Sequence, residues 1–309
     1  MIAYSSDQPE IATVDENGVV TGVSYGTTVI RASTSSGLTA NLAVSVLGAK
    51  RRMFIAYFFG LEEDAGYLPF AKNNAESMYE TFSDAVVEGQ RYDIAGPYCD
   101  LTKAQLFSRM SNHFRDASDE DVSLIYICAH GYEKFGLNQE YAFALDRTHF
   151  VFASELMSQL EARPGKVVVI MDSCHSAGLI ETNSDRLIAQ NGRISILAAT
   201  QRPVSGSYWD VPNPLQSVDY FTYALLKGLG YNEADGIGGS ARGWLSWTSD
   251  ADADGDGRVT VKELFDYAKA LTVKLVTVYK DYTQFRGDPT QTPTSFFGTL
   301  MNLILFARQ

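Results

Sequence analysis

Two segments of this 309-residue sequence place a reactive side chain directly after a continuous apolar run. His130 and Gly131 follow the run VSLIYICA, and Cys174 follows the run KVVVIMD inside the segment D-S-C-H-S-A-G. An imidazole beside a thiol can take up its proton, which leaves a nucleophilic thiolate. Gly131 has no Cβ, so its amide, together with that of Cys174, could approach a developing oxyanion. The two segments therefore predict an acyl-transfer site with Cys174 as nucleophile and His130 as general base.

Such a site needs a scaffold that brings the ends of two strands together. Beyond about residue 52, short apolar runs alternate with helical patterns, which is typical of a parallel sheet covered on both faces. The carboxyl ends of parallel strands meet at one edge, so the imidazole and the thiol are expected to lie side by side. The apolar runs are residues 53–59, 122–129, 166–172, 194–200 and 302–307.

Helical spacing between these runs predicts helices over residues 70–82 and 102–114. The second helix begins with Thr102 and Gln105, which form a capping box. We therefore expect an α/β fold, a three-layer sandwich with a mostly parallel sheet, over residues 49–309.

The N-terminal region has a different pattern. Residues 10–46 form short runs rich in Val, Ile and Thr, separated by turn residues around 15–18, 25–26 and 35–37. This small all-β segment, assigned to residues 1–48, resembles the second half of a bacterial immunoglobulin-like (Big) repeat in its run A-T-V-D-x-x-G-x-V-T-G-V-S. The resemblance implies that the first strands of the module precede Met1, and that the protein is bacterial and secreted or attached to the cell surface.

The second resemblance concerns the two reactive segments. A strand ending in A-H-G followed by a strand ending in D-S-C-H-S-A-G is similar to the caspase-like cysteine peptidases, which include caspases, metacaspases, clostripain and gingipain. It implies that Cys174 attacks the scissile carbonyl, that His130 moves the proton, and that the Gly131 and Cys174 amides bind the oxyanion. The implied activity is a cysteine endopeptidase acting on peptide or protein substrates without a redox cofactor.

Asp172 lies two residues before the predicted nucleophile. In basic-specific branches of the family this position helps to bind an Arg or Lys side chain before the scissile bond, so the resemblance implies cleavage after Arg or Lys. The sequence departs from the metacaspase motif N-D-A, because it reads Asn73-Asn74-Ala75. A second acidic residue must then come from elsewhere, with Asp210 or Asp219 as candidates. Arg202 leaves open the opposite preference, for an acidic substrate residue.

Each of these side chains also has a purely structural interpretation. His130 could be a satisfied core histidine, Cys174 a buried inert thiol, and Asp172 a turn-capping carboxylate. Cys128 shares the strand face of His130 and is a formal rival nucleophile or metal ligand, although its apolar run favours a buried small hydrophobe. Three cysteines are too few, and odd in number, for a disulfide framework, so at least one thiol is free unless the chain pairs with another.

Residues 252–263 match a calcium-binding EF-hand loop at every ligand position. Acidic residues stand at positions 1, 3, 5 and 12 of the loop, with glycine at position 6 and an apolar residue at position 8. This spacing predicts Ca²⁺ in a structural or regulatory role, and an acidic surface loop without metal is the alternative. The predicted ligands are Asp252, Asp254, Asp256, the carbonyl of Arg258, Thr260 and Glu263.

Composition excludes some classes of partner. A net charge of -12 and a pI near 4.8 argue against the basic stripe that nucleic-acid binding needs. No apolar run reaches the ~18 residues required to span a bilayer. A non-catalytic calcium-binding adhesion or scaffold module is the alternative function, against which the intact Cys174 and His130 argue. Self-cleavage after residues 50–52 or after Arg186 is a further hypothesis, with solvated linker charge as the simpler interpretation.

Overall fold

The computed structural model describes residues 2–58, 68, 70–137, 139–209, 218–230, 251–283 and 285–307. Its N-terminal part contains five strands in two small antiparallel sheets. In the larger sheet the fourth strand pairs with the first and the fifth, and the second and third strands form a hairpin. The strands are β1 (Ile2–Ser6), β2 (Ala12–Val14), β3 (Val20–Gly22), β4 (Gly26–Thr34) and β5 (Thr39–Val46).

Local turn chemistry accounts for these pairings. Asp15 Oδ1 accepts hydrogen bonds from the N–H groups of Asn17 (2.9 Å) and Val19 (2.8 Å), which turns the chain between β2 and β3. Gly37 has a φ of 85° in the turn between β4 and β5. The predicted all-β segment is confirmed, although β1 begins before the predicted residue 10.

The remaining described residues form an α/β unit around a seven-stranded sheet. Its five central strands are parallel and its two edge strands are antiparallel. The sheet strands are β6 (Arg51–Tyr57), β7 (Val86–Val87), β8 (Gln90–Cys99), β9 (Val122–Cys128), β13 (Lys166–Asp172), β14 (Ile194–Ala198) and β19 (Thr294–Phe296), in the spatial order β7-β8-β6-β9-β13-β14-β19.

Helices cover both faces of this sheet. Along β6, Met53, Ile55 and Tyr57 face one core, and Phe54 and Ala56 face the other, as the two-residue period of a strand requires. The first core includes α1 (Phe70–Ser83), α6 (Tyr220–Gly228) and α7 (Val261–Tyr279). The second includes α2 (Lys103–His113), α3 (Ala153–Glu161), α4 (Gly178–Thr182) and α5 (Ser184–Ala189). The predicted three-layer α/β fold is confirmed.

Three smaller sheets complete the unit. A three-stranded sheet, β10 (Gly131–Phe135), β11 (Glu140–Ala144) and β12 (Phe150–Phe152), follows β9 directly. A second comprises β15 (Tyr208–Trp209), β16 (Val218–Asp219) and β18 (Phe285–Arg286), and a third pairs β17 (Arg258–Thr260) with β20 (Ile304–Ala307). The capping box predicted at the start of α2 is confirmed, and α7 begins with another, formed by Thr260 and Glu263.

Two sequence interpretations are wrong. The run 302–307 is not a strand of the large sheet, because β20 pairs only with β17 among the described residues. Arg51 and Arg52 are not solvated linker residues. They begin β6 and are 3% and 6% exposed, because Arg52 pairs with Asp121 (3.2 Å) and Arg51 Nη1 donates to the carbonyl of Ile304 (2.6 Å).

The second proposed cleavage point is also structured. Arg186 lies on α5 and not in a loop. Its guanidinium donates to both carboxylate oxygens of Glu161, at 3.0 and 2.5 Å. A peptidase cannot bind such a segment as an extended chain while the helix is folded.

Candidate active site

The sheet register brings the two reactive segments together. Cys128, the last residue of β9, is the register partner of Asp172, the last residue of β13. The N–H of Ala129 donates to the carbonyl of Asp172 at 3.1 Å, which continues the pairing beyond the strands. His130 and Cys174 each follow two residues after these partners, so both lie at the same edge of neighbouring parallel strands.

Gly131 lies in direct contact with the backbone of Cys174. A Cβ added to Gly131 would stand 1.9 Å from the carbonyl oxygen of Cys174 and 2.9 Å from Ser173 Oγ. No side chain fits at that distance. The absence of a Cβ at this position is therefore what lets the segment after β9 close on the turn after β13.

The loop after β14 holds the turn that carries Cys174. Thr200 Oγ1 accepts from the N–H of Ser176 (3.0 Å) and donates to the carbonyl of Ser173 (3.3 Å). The N–H of His175 donates to the carbonyl of Val204 at 2.9 Å, and His175 has a φ of 58°. This left-handed conformation at a residue with a side chain is held by bonds on both sides of the nucleophile turn.

Cys174 is half-buried, and its sulfur accepts a hydrogen bond from the backbone. The N–H of Gly206 lies 3.4 Å from Sγ. Burial raises the pKa of the Cys174 thiol, and the hydrogen bonds from Gly206 and Ser205 oppose that rise. The resting group is therefore a thiol at neutral pH, so a nucleophilic role requires a base to remove its proton.

A chain of two buried hydroxyls, from Tyr141 to Ser173, ends at the carbonyl of Cys174. Tyr141 Oη lies 2.5 Å from Ser173 Oγ, and Ser173 Oγ donates to the carbonyl of Cys174 at 3.2 Å. Tyr141 is on β11 and fully buried. Sequence reasoning did not identify either residue, because only the tertiary fold brings β11 beneath the nucleophile turn.

A buried polar cluster lies at the same edge, on the face covered by α1 and α6. Asp172 Oδ2 accepts hydrogen bonds from Thr222 Oγ1 (2.6 Å), Tyr126 Oη (3.2 Å) and Asn74 Nδ2 (3.3 Å). Asn74 Nδ2 also donates to Asp219 Oδ2. Asp172 is thus the last residue of β13, and its carboxylate belongs to a network of side chains and does not cap a turn.

Asp219 connects this cluster to the start of α6. Its Oδ1 accepts from the N–H groups of Phe221 (2.7 Å) and Thr222 (3.1 Å), which caps the helix. Asp219 was one of two candidates for a second acidic residue. The other, Asp210, lies outside the described residues. The amide of Asn74, at the departure from the N-D-A motif, lies between the two carboxyl groups.

The two carboxyl groups affect one another's protonation. Burial raises the pKa of Asp219 well above its usual range, and the charge of Asp172 raises it further. Burial also raises the pKa of Asp172, against hydrogen bonds from Asp219 and Thr222. Because two adjacent buried carboxylates cannot both ionise readily, the pair keeps a proton on Asp219 and the charge on Asp172.

Cys128, the alternative nucleophile, and Arg202, the alternative specificity residue, both make other contacts. Cys128 is 1% exposed, and burial raises the pKa of its thiol well above the usual range. It packs as the buried small residue that its apolar run predicted. Arg202 pairs with Glu181 (3.1 Å) and Glu133 (3.7 Å), so it does not form a free basic pocket for an acidic substrate residue.

The predicted calcium loop brings three of its acidic side chains together. One carboxylate oxygen from each of Asp252, Asp254 and Asp256 lies within 4.8 Å of the others. Asp252 also accepts from the N–H groups of Gly255 (2.8 Å) and Gly257 (2.8 Å), which coils the loop around that carboxylate. Hard carboxylate oxygens at this spacing suit Ca²⁺.

The other predicted ligands lie at the end of the loop. Glu263 Oε2 accepts from the N–H of Thr260 (2.9 Å), and Glu263 Oε1 accepts from the N–H of Ala253 (3.2 Å). Glu263 and Thr260 therefore cap α7, and Glu263 is not among the carboxylates that lie within 4.8 Å of one another. Arg258 belongs to β17, which pairs with β20.

Residues 1–47 match a family model described as a bacterial Ig-like domain, Big-like. The same region is 45% identical over 47 residues to an A type blood N-acetyl-alpha-D-galactosamine deacetylase from Flavonifractor plautii. That match covers 15% of this chain and 6% of the relative. The N-terminal segment is a bacterial immunoglobulin-like domain.

The whole chain was also compared with solved structures. Caspase-1 from Spodoptera frugiperda superposes with a TM-score of 0.50 over 81% of this chain and 87% of its own, at 11% sequence identity. The chain has a caspase-like fold. A protein from Geobacter sulfurreducens has a TM-score of 0.47 and 13% identity over 84% of this chain and 98% of its own. The caspase-like unit follows the Ig-like domain in the sequence. None of the described helices has the length and hydropathy to span a bilayer.

Proposed function

We propose that this protein is a cysteine endopeptidase with Cys174 as nucleophile and His130 as general base. The observation that carries the proposal is the register of β9 and β13, with Cys128 opposite Asp172. That register puts the imidazole and thiol segments at one edge, and Gly131 packs on Cys174 there. A caspase-like fold around this edge supports the same assignment.

Acylation begins with the neutral thiol. His130 takes the proton from Cys174 as the sulfur attacks the scissile carbonyl carbon, so a carbon–sulfur bond forms and the carbonyl becomes an oxyanion. The N–H groups of Gly131 and Cys174 donate to that oxyanion, which stabilises the tetrahedral intermediate. The carbon–nitrogen bond then breaks, and His130 returns the proton to the leaving amine.

Deacylation repeats these steps with water. His130 removes a proton from the water, whose oxygen attacks the thioester carbonyl, and the thiolate leaves with the proton returned. The products are a carboxylic acid and the free thiol. Ser173 holds the Cys174 carbonyl during both half-reactions, because its hydroxyl already donates to that oxygen at rest, and the hydroxyl of Tyr141 positions Ser173.

The cluster of Asp172 and Asp219 supports cleavage after Arg or Lys. The two carboxyl groups are 5% and 4% exposed and hold one proton between them. A guanidinium that enters the cluster would displace that proton, and it would also take over the hydrogen bonds that the amide of Asn74 donates to both groups. Bidentate carboxylate–guanidinium pairing then compensates for the lost hydrogen bonds. Binding of the cation therefore releases a proton, which favours binding at higher pH.

We also propose that the loop 252–263 binds Ca²⁺ in a structural or regulatory role. Asp252, Asp254 and Asp256 would hold the ion, with the carbonyl of Arg258 and the carboxylate of Glu263 completing the EF-hand set. Bound Ca²⁺ would neutralise the acidic loop at the start of α7. It takes no part in the acyl transfer, which is carried by the thiol and the imidazole.

The proposed location is outside the cell or on its surface, in a bacterium. The support is the Ig-like domain at residues 1–47. The proposed partner is a peptide or protein substrate. Nucleic acid is disfavoured by the net charge of -12.

The test is hydrolysis of reporter peptides that differ only in the residue before the scissile bond. We expect the wild type to cleave peptides with Arg or Lys at that position, and Cys174→Ala to cleave none. Cys99→Ser, which changes an exposed cysteine, should behave as wild type. Equal turnover by wild type and Cys174→Ala, or a preference for Asp, would refute the proposal.

A further inference from the structure

The outer surface of the β10–β12 sheet carries four aromatic rings, which we call the aromatic face: Tyr132, Phe135, Phe150 and Phe152. Ring centroids of Phe135 and Phe150 lie 4.1 Å apart, and Tyr132 lies 5.4 Å from both. Phe152 lies 6.2 Å from Phe135. The four rings form one continuous apolar surface.

Strand alternation in β11 and β12, together with a register shift between Tyr132 and Phe135 in β10, separates this face from the core. Tyr141, Phe143 and Val151 point inward and are fully buried against the helices of the second core. The aromatic face points the other way, with Tyr132 41% exposed. Contiguous aromatic surface left in water is a common feature of binding sites, because covering it removes apolar area from solvent.

The aromatic face begins at the proposed catalytic edge. Gly131 contacts the Cys174 carbonyl, and Tyr132 directly follows Gly131. The Cα atoms of Gly131 and Tyr132 are therefore about 3.8 Å apart. Phe135 follows four residues after Gly131, and a strand rises roughly 3.3 Å per residue, which places it about 13 Å along the hairpin. An extended peptide covers that distance in about four residues.

The aromatic face and the acidic cluster lie on opposite sides of the large sheet. Asp172 and Asp219 meet α1 and α6 in the first core layer. The β10–β12 sheet packs its inner face on the second core layer. Cys174 follows Asp172 by two residues, and Gly131, which contacts Cys174, directly precedes Tyr132. Both surfaces therefore start at the proposed nucleophile, and a peptide with its basic residue in the acidic cluster is expected to continue beyond the scissile bond toward the aromatic face.

The sheet is fixed in this position by polar contacts. Arg202 donates to the carbonyl of Glu133 (3.0 Å) and to the carboxylate of Glu181 (3.1 Å), which ties β10 to α4. Glu140 accepts from the N–H of Ser154 (2.8 Å), which ties β11 to α3. A preformed surface loses little conformational entropy when a substrate binds.

We infer that the aromatic face binds the segment of the substrate that follows the scissile bond. It should select an aromatic or branched aliphatic side chain at the second to fourth position after that bond. This specificity rests on the proposed endopeptidase activity, and it concerns a part of the substrate that the acidic cluster does not contact.

The test compares two kinds of substrate. One is an arginyl aminocoumarin, which has no residues after the scissile bond. The other is a pair of internally quenched peptides with the same arginine, followed either by Ser-Phe-Phe-Ser or by Ser-Gly-Gly-Ser. We expect wild type to cleave the phenylalanine peptide with a kcat/KM about tenfold or more higher, the range of one good apolar pocket. Tyr132→Ser should reduce this ratio severalfold, and Tyr132→Ser with Phe150→Ser should bring it close to one, without changing coumarin hydrolysis.

Tyr79→Ser is the matched control. Tyr79 is 40% exposed on α1, close to the exposure of Tyr132, and it should leave the ratio unchanged. Unchanged coumarin hydrolysis also shows that the variants fold. Coumarin turnover with equal rates for the two peptides would overturn this inference alone. If wild type cleaves none of the substrates, the proposed activity fails and the inference fails with it.

Discussion

The backbones of Gly131 and Cys174 are in direct contact, and the space between them admits no side chain at position 131. A Cβ on Gly131 would stand 1.9 Å from the Cys174 carbonyl oxygen. The same contact keeps the segment that carries His130 against the turn that carries Cys174. Backbone contact between the base segment and the nucleophile turn is therefore the geometric basis of the proposed catalysis.

Gly131→Ala should reduce kcat/KM by about 100-fold or more, the usual effect of losing one oxyanion donor. The added methyl group must push the segment after β9 away from the nucleophile turn. Activity is measured with the arginine reporter, and thermal melting checks that the protein remains folded. Wild-type activity in a folded Gly131→Ala protein would show that the contact has no catalytic role.

Cys174→Ala should abolish peptidase activity, whereas Cys128→Ala should retain it. Cys128 is buried and its thiol pKa is raised well above the usual range, so it cannot supply a thiolate near neutral pH. Removal of its sulfur should cost some stability, about 1 kcal/mol, as for a small cavity. Loss of activity in a stable Cys128→Ala protein would contradict the assignment.

Asp219→Asn should raise stability at pH 8 and flatten the dependence of Tm on pH. The folded-state pKa of Asp219 is raised, first by burial and then by the charge of Asp172. Below about pH 4 both folded and unfolded states hold the proton. As pH rises further, the unfolded chain releases it first, so wild-type stability falls until the folded pKa is passed.

Asparagine at position 219 stays neutral and can still cap α6, so the pH-dependent loss disappears. The same variant should weaken the preference for Arg over Leu before the scissile bond. Asp119→Asn, which alters an exposed carboxylate, should leave the Tm profile unchanged. A Tm profile for Asp219→Asn that falls with pH as steeply as wild type would contradict the shared-proton description.

Calcium should raise the Tm of the wild type. The free energy of unfolding should increase by about 2.7 kcal/mol when free Ca²⁺ is a hundred times Kd. Asp254→Ala and Glu263→Gln should remove both the calorimetric binding signal and the Tm shift. Asp266→Ala, which changes an exposed acid on α7 outside the loop, should keep them. A wild type with neither signal would reduce the loop to an acidic surface segment.

Self-cleavage after Arg51 or Arg52 should not occur in the folded protein. Both residues lie in β6, between β8 and β9, and are 3% and 6% exposed. Intact-mass analysis of incubated wild type and Cys174→Ala should find no fragment ending at either residue. A wild-type fragment ending at Arg52 would mean that this strand opens under native conditions.

The juxtaposition of the segments that carry His130 and Cys174 could be predicted from the sequence because the signal is local. Strands β9 and β13 are fully buried apolar runs, and parallel pairing places whatever follows them at one edge. The same reasoning failed for β8, since QRYDIAGPYC is neither continuously apolar nor strictly alternating. It also failed for β20, because an apolar run does not reveal which sheet it joins.

Other parts of the site depend on contacts that are distant in sequence. Asn74 reaches Asp219 only because α1 packs beside α6, and nothing in the spacing of the two residues predicts this. Tyr141 reaches Ser173 for a similar reason. The sequence alone does not reveal that Arg52 is buried, because its buried partner, Asp121, follows far along the chain.

The most direct measurement is covalent labelling with a peptidyl-arginine acyloxymethyl ketone, followed by peptide mass mapping. The proposed mechanism predicts one adduct per chain, on Cys174, with Cys99 and Cys128 unmodified. His130→Ala should label about 100-fold more slowly, because no base removes the thiol proton. Absence of an adduct on Cys174, labelling of another cysteine in its place, or an unchanged rate in His130→Ala would contradict the thiol–imidazole assignment.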